Sequence, residues 1–209
     1  MTEVQMQLKS GTTTVALICK DAVVMAADRK ATMGYLIASK DVLKVRQLDE
    51  HIAMTIAGVV GDAQALERYI MAELKLFKLH EDRKMPVKNA ASLVSNILYA
   101  RRFYPYYVQL IVAGYDATGP SIYTLAPDGS IIPEKYYSTG SGSPMVFGVL
   151  ENEYKDNMEL EDAKRLAVRA VSAAVKRDIA SGGSGVDLFV IDKKGVRKIS
   201  DSEVEKLAK

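Results

Sequence analysis

The sequence has few of the residues on which much enzyme catalysis depends. Its one cysteine, Cys19, excludes an internal disulfide and lies in an apolar run that suits a small core residue. Neither of its two histidines, His51 and His80, has metal-ligand spacing around it, and any Ser-His-Asp triad would have to use one of them. We interpret both as structural or surface residues. No P-loop or dinucleotide-binding glycine pattern occurs. We therefore expect no metal and no cofactor, and chemistry based on Thr, Lys, Asp and Ser.

An excess of charge and a long apolar run are also missing. The net charge is only +2, so we expect neither a nucleic acid nor an anionic membrane as a partner. No apolar stretch approaches a membrane span, and the first ten residues lack the apolar centre of a secretion signal. A cytoplasmic location fits these absences. The chain has 209 residues, 48% of them hydrophobic, and its sequence shows no linker or repeat. We therefore expect a single domain with a substantial core.

The apolar periodicity predicts strands and helices in alternating groups. Strands are predicted at 15–19, 22–27, 35–38, 42–48, 51–57, 108–115, 121–125, 131–138, 186–191 and 195–199. Helices are predicted at 62–79, with Asp62 as the cap, and at 87–102, 144–154 and 161–179. This order differs from strict βαβ alternation. It predicts an α+β fold in which two mainly antiparallel sheets stack as a sandwich with a helix pair outside each sheet.

Residues 11–14, Gly-Thr-Thr-Thr, follow a polar leader of ten residues. Cleavage after Gly11 would give Thr12 both a hydroxyl and a free α-amine. An amine with a pKa of about 7.7–8.0 can serve as the base for that hydroxyl. Three β-branched residues also suit the start of a strand, and these four residues alone favour the strand.

Other candidates also have a plain structural interpretation. Lys44 lies in a predicted strand with its side chain on an interior face, where a carboxylate partner is needed, and Asp28 is the nearest by strand order. Such a pair can be purely structural. Gly58 and Gly61 flank a strand-to-helix turn that could present N–H groups to an oxyanion or be an ordinary turn. Two further segments have loop composition, 139–144 and 181–184.

Eight segments, each weak alone, become specific when taken together in their order. They are GTTTV (11–15), AADRKATMG (26–34), SKDVLKV (39–45), TIAGVVGDAQ (55–64), YVQLIVAGYD (107–116), TGSGSP (139–144), GVLENEY (148–154) and RDIASGG (177–183). Through them the chain resembles a proteasome core-particle β-subunit of the archaeal type, an N-terminal nucleophile hydrolase. The resemblance implies a four-layer αββα sandwich. It also implies that residues 1–11 are a cleavable leader and residues 12–209 a single peptidase domain.

The resemblance implies roles for individual residues. Thr12 matches the nucleophile, which the subunit releases by cleaving its own Gly11–Thr12 bond. Asp28 and Lys44 match the supporting charge pair, whose cation favours deprotonation of the hydroxyl and keeps the amine neutral. Ser141, Asp178 and Ser181 match the residues that form hydrogen bonds around the threonine amine, and Gly58 matches the residue whose N–H binds the oxyanion. Thr32 and Gly58 match residues whose backbone pairs with an extended substrate peptide. The pocket for the side chain before the scissile bond is matched by Ala31, Val42, Arg46, Ile56 and Val60.

The same resemblance implies an endopeptidase that acts on unfolded polypeptides inside an assembly. Its partners would be other β-subunits in a seven-membered ring, rings of α-subunits and an ATP-dependent unfoldase regulator. A non-catalytic or unprocessed scaffold subunit is the alternative, and the presence of Thr12, Asp28 and Lys44 argues against it. A simpler bacterial ATP-dependent protease with the same nucleophile is disfavoured by the TGSGSP and RDIASGG segments.

Two positions depart from the family pattern. Arg46 replaces an apolar pocket residue, and its head could shorten the pocket, accept an acidic side chain or extend to solvent. We expect it to shift preference away from large apolar residues, with an acidic substrate side chain as its partner. The loop 182–185 is one residue longer than the family pattern, next to the predicted site residues Asp178 and Ser181.

Overall fold

The computed structural model describes residues 11–208, so the predicted leader lies outside the described residues except for its last residue, Gly11. Twelve strands follow one another along the chain in this part. They are β1 (Thr14–Cys19), β2 (Ala22–Asp28), β3 (Ala31–Met33), β4 (Leu36–Ser39), β5 (Val45–Asp49), β6 (Ile52–Gly58), β7 (Val108–Asp116), β8 (Gly119–Leu125), β9 (Ile131–Glu134), β10 (Tyr136–Thr139), β11 (Val186–Asp192) and β12 (Gly195–Lys198).

The helices of the described residues occur in two pairs and a short C-terminal turn of helix. They are α1 (Val60–Glu81), α2 (Val87–Ala100), α3 (Ser143–Glu153), α4 (Leu160–Val175) and α5 (Asp201–Leu207). None of these described helices combines the length and apolarity that crossing a membrane requires.

Two five-stranded antiparallel sheets form the centre of the molecule. The strand order is β10-β1-β2-β11-β12 in the first sheet and β5-β6-β7-β8-β9 in the second. Helices α3 and α4 cover the outer face of the first sheet, and α1 and α2 cover that of the second. The fold is therefore the expected four-layer αββα sandwich, with antiparallel sheets and segregated helix pairs.

Three apolar layers hold the sandwich together. On β1, Val15 and Leu17 pack against α3 and α4, whereas Ala16 faces the second sheet. This is the alternation of side chains that a strand imposes. Every residue of β2 is buried because both of its faces are covered, which explains its continuous apolar sequence. Burying both faces fixes the register of β1 on β2, and this register sets Thr14 opposite Ala27.

The strand predictions missed β3 and were wrong at two other places. The strand predicted at 42–48 begins only at Val45, and the segment predicted at 35–38 pairs not with it but with β3, around a turn at Gly34. The continuous strand predicted at 131–138 is two strands in different sheets, since β9 pairs with β8 and β10 pairs with β1. The chain crosses between the sheets at Lys135, whose carbonyl oxygen accepts from the Ile18 amide. Periodicity alone does not reveal such a change of partner.

The helix predictions were correct in number and order for the first four helices but wrong at several ends. Asp62 is not the cap of α1, because the helix starts at Val60 and the Asp62 carboxylate accepts from the Tyr107 amide at 2.9 Å. The helix predicted to reach residue 179 ends at Val175. Helix α5 was not predicted, although Ser200 accepts from the Glu203 amide and gives a recognisable Ser-x-x-Glu start.

Candidate active site

Thr12 is buried two residues before β1 and directly follows Gly11. The Thr12 hydroxyl donates to the Gly11 carbonyl oxygen at 2.7 Å, so the oxygen lies beside the carbonyl group that self-cleavage would attack. The Thr12 amide donates to the Ser141 hydroxyl at 3.3 Å. Cleavage of the Gly11–Thr12 bond would turn this amide into the free amine that a threonine nucleophile needs.

Asp28 lies at the end of β2, opposite the start of β1, and is fully buried. One carboxylate oxygen accepts from the Thr13 amide at 2.8 Å and from the Lys44 ammonium at 2.7 Å. The other accepts from the amides of Gly182 at 2.8 Å and Lys30 at 3.2 Å. Four donors therefore compensate the burial of this carboxylate, and they tie it both to the strand that carries Thr12 and to the 182–185 loop.

Lys44 connects this carboxylate to the bond before Thr12. It precedes β5 rather than lying within it, yet its side chain is buried as the sequence predicted. Its ammonium donates to Asp28 and to the Gly11 carbonyl oxygen, the latter at 3.2 Å. Burial lowers the pKa of Lys44, and the charge of Asp28 opposes this effect. A cation at this position polarises the Gly11 carbonyl and favours negative charge on the Thr12 oxygen.

A second polar network lies on the other side of Thr12. Asp178 follows α4, and one of its carboxylate oxygens accepts from Ser141 and from Ser181, each at 2.6 Å. Ser181 also lies 2.6 Å from the Thr13 hydroxyl. Because Ser181 uses its proton on Asp178, Thr13 is the donor in that contact. The structure thus brings together Ser141, Asp178 and Ser181, as predicted, and adds Thr13, which sequence reasoning missed although it is the second threonine of the motif.

Two glycines allow the chain to pass close to the site. Gly140 has a φ of +95°, and a Cβ there would lie 2.1 Å from the Thr12 carbonyl oxygen. Gly58 has a φ of +128°, and its Cβ would lie 2.0 Å from the Tyr107 carbonyl oxygen. A left-handed backbone and a close approach both require glycine at these positions. The TGSGSP segment therefore contains a residue whose absence of a side chain leaves room for Thr12.

A cavity of about 90 Å³ opens beside Gly11 and Thr12. All the predicted pocket residues line this cavity, as does Gly58; they are Ala31, Val42, Arg46, Ile56 and Val60. The Thr32 hydroxyl accepts from the Gly11 amide at 2.9 Å, and the pairing of the Thr32 backbone with a substrate peptide stays a prediction. A larger cavity of about 630 Å³ elsewhere on the molecule contains none of the predicted site residues.

Helix α1 contributes lining residues that the sequence did not suggest. Ala63, Gln64 and Glu67 reach the cavity together with Val60, so one stripe of the helix at positions i, i+3, i+4 and i+7 forms a wall. Glu67 is also the partner of Arg46, whose Nε donates to both of its carboxylate oxygens at 2.8 and 2.9 Å. The expectation that Arg46 needs a carboxylate from the substrate was therefore wrong, because the chain supplies one itself.

The loop at 182–185 is tied to the site at several points. Besides the Gly182 amide bond to Asp28, the Gly182 carbonyl accepts from the amides of Arg29 and Lys30 at 2.9 Å each. The Ser184 amide donates to the Lys40 carbonyl at 2.8 Å. The additional residue predicted from the family pattern therefore does not separate the loop from Asp28.

Comparison with known proteins agrees with this geometry. The sequence model of the proteasome subunit family matches residues 8–191. The chain belongs to the proteasome subunit family. It is 46% identical to a proteasome subunit beta of Methanothermobacter thermautotrophicus over 94% of this chain and 93% of that protein. Relatives of the same name from Methanocaldococcus vulcanius and Picrophilus torridus are each 48% identical, over 97% and 94% of this chain and 91% and 93% of their own lengths.

The resemblance inferred from the eight segments is thereby confirmed, and with it the fold class. Four of the segments meet at one site in this proteasome subunit. Each supplies residues within hydrogen-bonding distance of Thr12, Thr13 or Asp28; they are GTTTV, AADRKATMG, TGSGSP and RDIASGG. Segments that are far apart in the sequence therefore converge on the first residues of β1.

Proposed function

We propose that this proteasome subunit is the catalytic β-subunit of the core particle, an endopeptidase that hydrolyses unfolded polypeptides with Thr12 as its nucleophile. The observation that carries this proposal is the contact of the Thr12 hydroxyl and the Lys44 ammonium with the same atom, the Gly11 carbonyl oxygen. A strand that merely started with threonines would have no need of a buried cation at that oxygen.

Self-cleavage is the first reaction that this arrangement supports. The Thr12 oxygen adds to the Gly11 carbonyl carbon and its proton passes to the Thr12 nitrogen; the C–N bond then breaks, which leaves a free amine on Thr12 and an ester between Gly11 and the Thr12 oxygen. Water then hydrolyses the ester, which gives a carboxylate on Gly11 and restores the Thr12 hydroxyl. Lys44 stabilises the negative charge that develops on the carbonyl oxygen, because its ammonium already donates there.

Peptide hydrolysis uses the same groups after cleavage. The free amine of Thr12 accepts the proton of the hydroxyl, and the oxygen attacks the scissile carbonyl. Lys44 favours both the alkoxide and the neutral amine, while the network of Ser141, Asp178 and Ser181 holds the amine in place. Gly58, which lines the cavity beside Thr12, is our candidate for the oxyanion donor by its match to the family pattern.

The position of Gly11 indicates how a substrate lies in the site. Its amide is bound by the β3 residue Thr32 and its carbonyl by Lys44, so the last leader residue occupies the place of the residue before a scissile bond. An extended peptide that continues along β3 would pair with this short strand by β-augmentation.

Several large apolar side chains of the described surface favour assembly into a closed particle. Leu79 near the end of α1 is 80% exposed, Tyr104 in the turn that follows α2 is 88% exposed, and Tyr35 on the β3–β4 turn is fully exposed. Such side chains are compatible with burial against other subunits. From the family match, our proposal also includes a seven-membered β-ring, flanking α-rings, an unfoldase regulator and a cytoplasmic location.

Substitution of the nucleophile tests the proposal. In a core particle assembled with its α-subunits, Thr12→Ala should retain residues 1–11 and hydrolyse no fluorogenic peptide, since both reactions need the same hydroxyl. Thr118→Ala, which removes an exposed hydroxyl that donates to Asp116, is the matched control and should behave as the wild type. Peptide turnover or leader loss in the Thr12→Ala particle would refute the mechanism.

A further inference from the structure

The alternation of β5 explains why Arg46 points into the molecule rather than into solvent. Val45 packs in the layer between the two sheets, so Arg46 projects from the opposite face. Its cross-strand neighbour is Met54, which packs in the layer between the second sheet and its helices. Arg46 therefore extends toward α1, where Glu67 and the cavity beside Thr12 lie.

The pairing of Arg46 with Glu67 leaves part of the guanidinium available. The side chains are 34% and 13% exposed, respectively. Both hydrogen bonds run from Nε, and no other group of residues 11–208 accepts from the two terminal nitrogens of Arg46. A substrate side chain in the cavity can therefore contact these nitrogens. Their positive charge, however, is already balanced by Glu67.

Each charged side chain that lines the cavity is paired with a group of opposite charge. Lys44 is paired with Asp28, which is not itself a lining residue, and Arg46 is paired with Glu67, which is. An acidic side chain that approached Arg46 would also approach the Glu67 carboxylate, so attraction and repulsion would offset each other. An uncharged side chain avoids this repulsion and can contact the apolar lining residues, such as Val42, Ile56 and Val60.

We propose that Glu67 is a specificity-determining residue of this site: by pairing with Arg46 it keeps the pocket uncharged and directs cleavage to bonds that follow uncharged side chains. The inference rests on the proposed peptidase function and assigns to α1 a part in substrate choice. Arg46 alone would make an anion-binding pocket, and Glu67 prevents it.

Two reciprocal substitutions test this role. Glu67→Gln keeps the shape and an oxygen for Arg46 Nε but removes the negative charge. It should raise kcat/KM for a fluorogenic peptide ending in Glu, relative to one ending in Leu, by roughly ten- to a hundredfold. Arg46→Gln leaves Glu67 without its cation. It should instead raise kcat/KM for a peptide ending in Lys, relative to one ending in Leu. The double variant restores an uncharged pocket, so both ratios should return to the wild-type values.

The measurements use mature core particles in which mass spectrometry shows the leader removed. Glu50→Gln is the matched control, because it removes one glutamate charge at a different cavity and should leave every ratio unchanged. Glu-to-Leu ratios that agree within about twofold in the wild type and Glu67→Gln would overturn the proposal, as would a wild type that already prefers Glu. Absence of any peptide cleavage by the wild type would overturn the proposed function, and the role of Glu67 with it.

Discussion

Replacement of Lys44 by Met removes the ammonium at the centre of the site and keeps most of its apolar stem. Lys44 donates to Asp28 at 2.7 Å and to the Gly11 carbonyl at 3.2 Å, and its side chain is 6% exposed. Loss of a donor at a developing oxyanion slows such reactions roughly 10²–10³-fold. We therefore expect leader cleavage to slow by at least this factor, and peptide hydrolysis, which needs the cleaved Thr12 and its alkoxide, to fall with it.

The same substitution should also lower stability by a limited amount. Breaking a buried ion pair costs about 3–5 kcal/mol in the free energy of unfolding. In Lys44→Met the Asp28 carboxylate still accepts from the amides of Thr13, Lys30 and Gly182, so the loss should lie near the lower end, about 3 kcal/mol. Asp28→Asn should cost more, because it leaves the Lys44 ammonium buried without an anion.

The assay separates the catalytic loss from the structural loss. Urea unfolding of the isolated chain at a fixed concentration gives the stability, and mass spectrometry after mixing with α-subunits gives the cleavage rate. Lys164→Met is the control, since Lys164 is another buried lysine and its partners, Glu161 and Glu203, lie away from Thr12 on α4 and α5. It should cleave its leader normally. Cleavage by Lys44→Met at the rate of this control would refute the reasoning.

Three further predictions concern pH, backbone space and assembly. The Thr12 amine must be neutral and Lys44 favours its neutral form, so kcat/KM should rise with pH at or below the ordinary amine range of about 7.7–8.0. Because burial lowers the pKa of Lys44, the ammonium should lose its proton as the pH rises toward 10.5, and kcat/KM should fall before that pH; a level rate up to pH 10.5 in a folded particle would contradict this. Gly140→Ala should lose leader cleavage and at least about 1 kcal/mol of stability, since its φ is +95° and its Cβ would meet Thr12, whereas Gly148→Ala has open space around it; equal cleavage in the two variants would count against the close approach. The isolated chain should stay uncut and inactive until α-subunits are added, and a fully active monomer would argue against activation by assembly.

The outline of the fold could be predicted from the sequence because each sheet is covered on both sides. Continuous apolar strands such as 22–27 and amphipathic helices such as 161–175 show their type directly in their periodicity. Their partners do not show, and so the division of 131–138 between two sheets at Lys135 was missed. The local pattern of apolar residues shows which faces of a strand or helix are buried. Which strands pair with each other depends on contacts between residues that are distant in the sequence.

The candidate site was predicted unevenly for the same reason. Thr12, Asp28 and Lys44 could be named by matching segments, and the structure brings them within hydrogen-bonding distance of Gly11 or of one another. Glu67 could not be named, because on α1 it reads as an ordinary surface glutamate. Only the packing of α1 on β5 brings it to Arg46.

The N-terminus of the assembled chain tests the central claim most directly. The intact mass of the chain should be measured before and after assembly with α-subunits, in the wild type and in Thr12→Ala. Our account predicts that the wild type loses residues 1–11 and begins at Thr12, while the variant keeps its full length. A wild-type chain that hydrolyses peptides with residues 1–11 still attached, or that is cut at another bond, would contradict the assignment of Thr12 as the nucleophile.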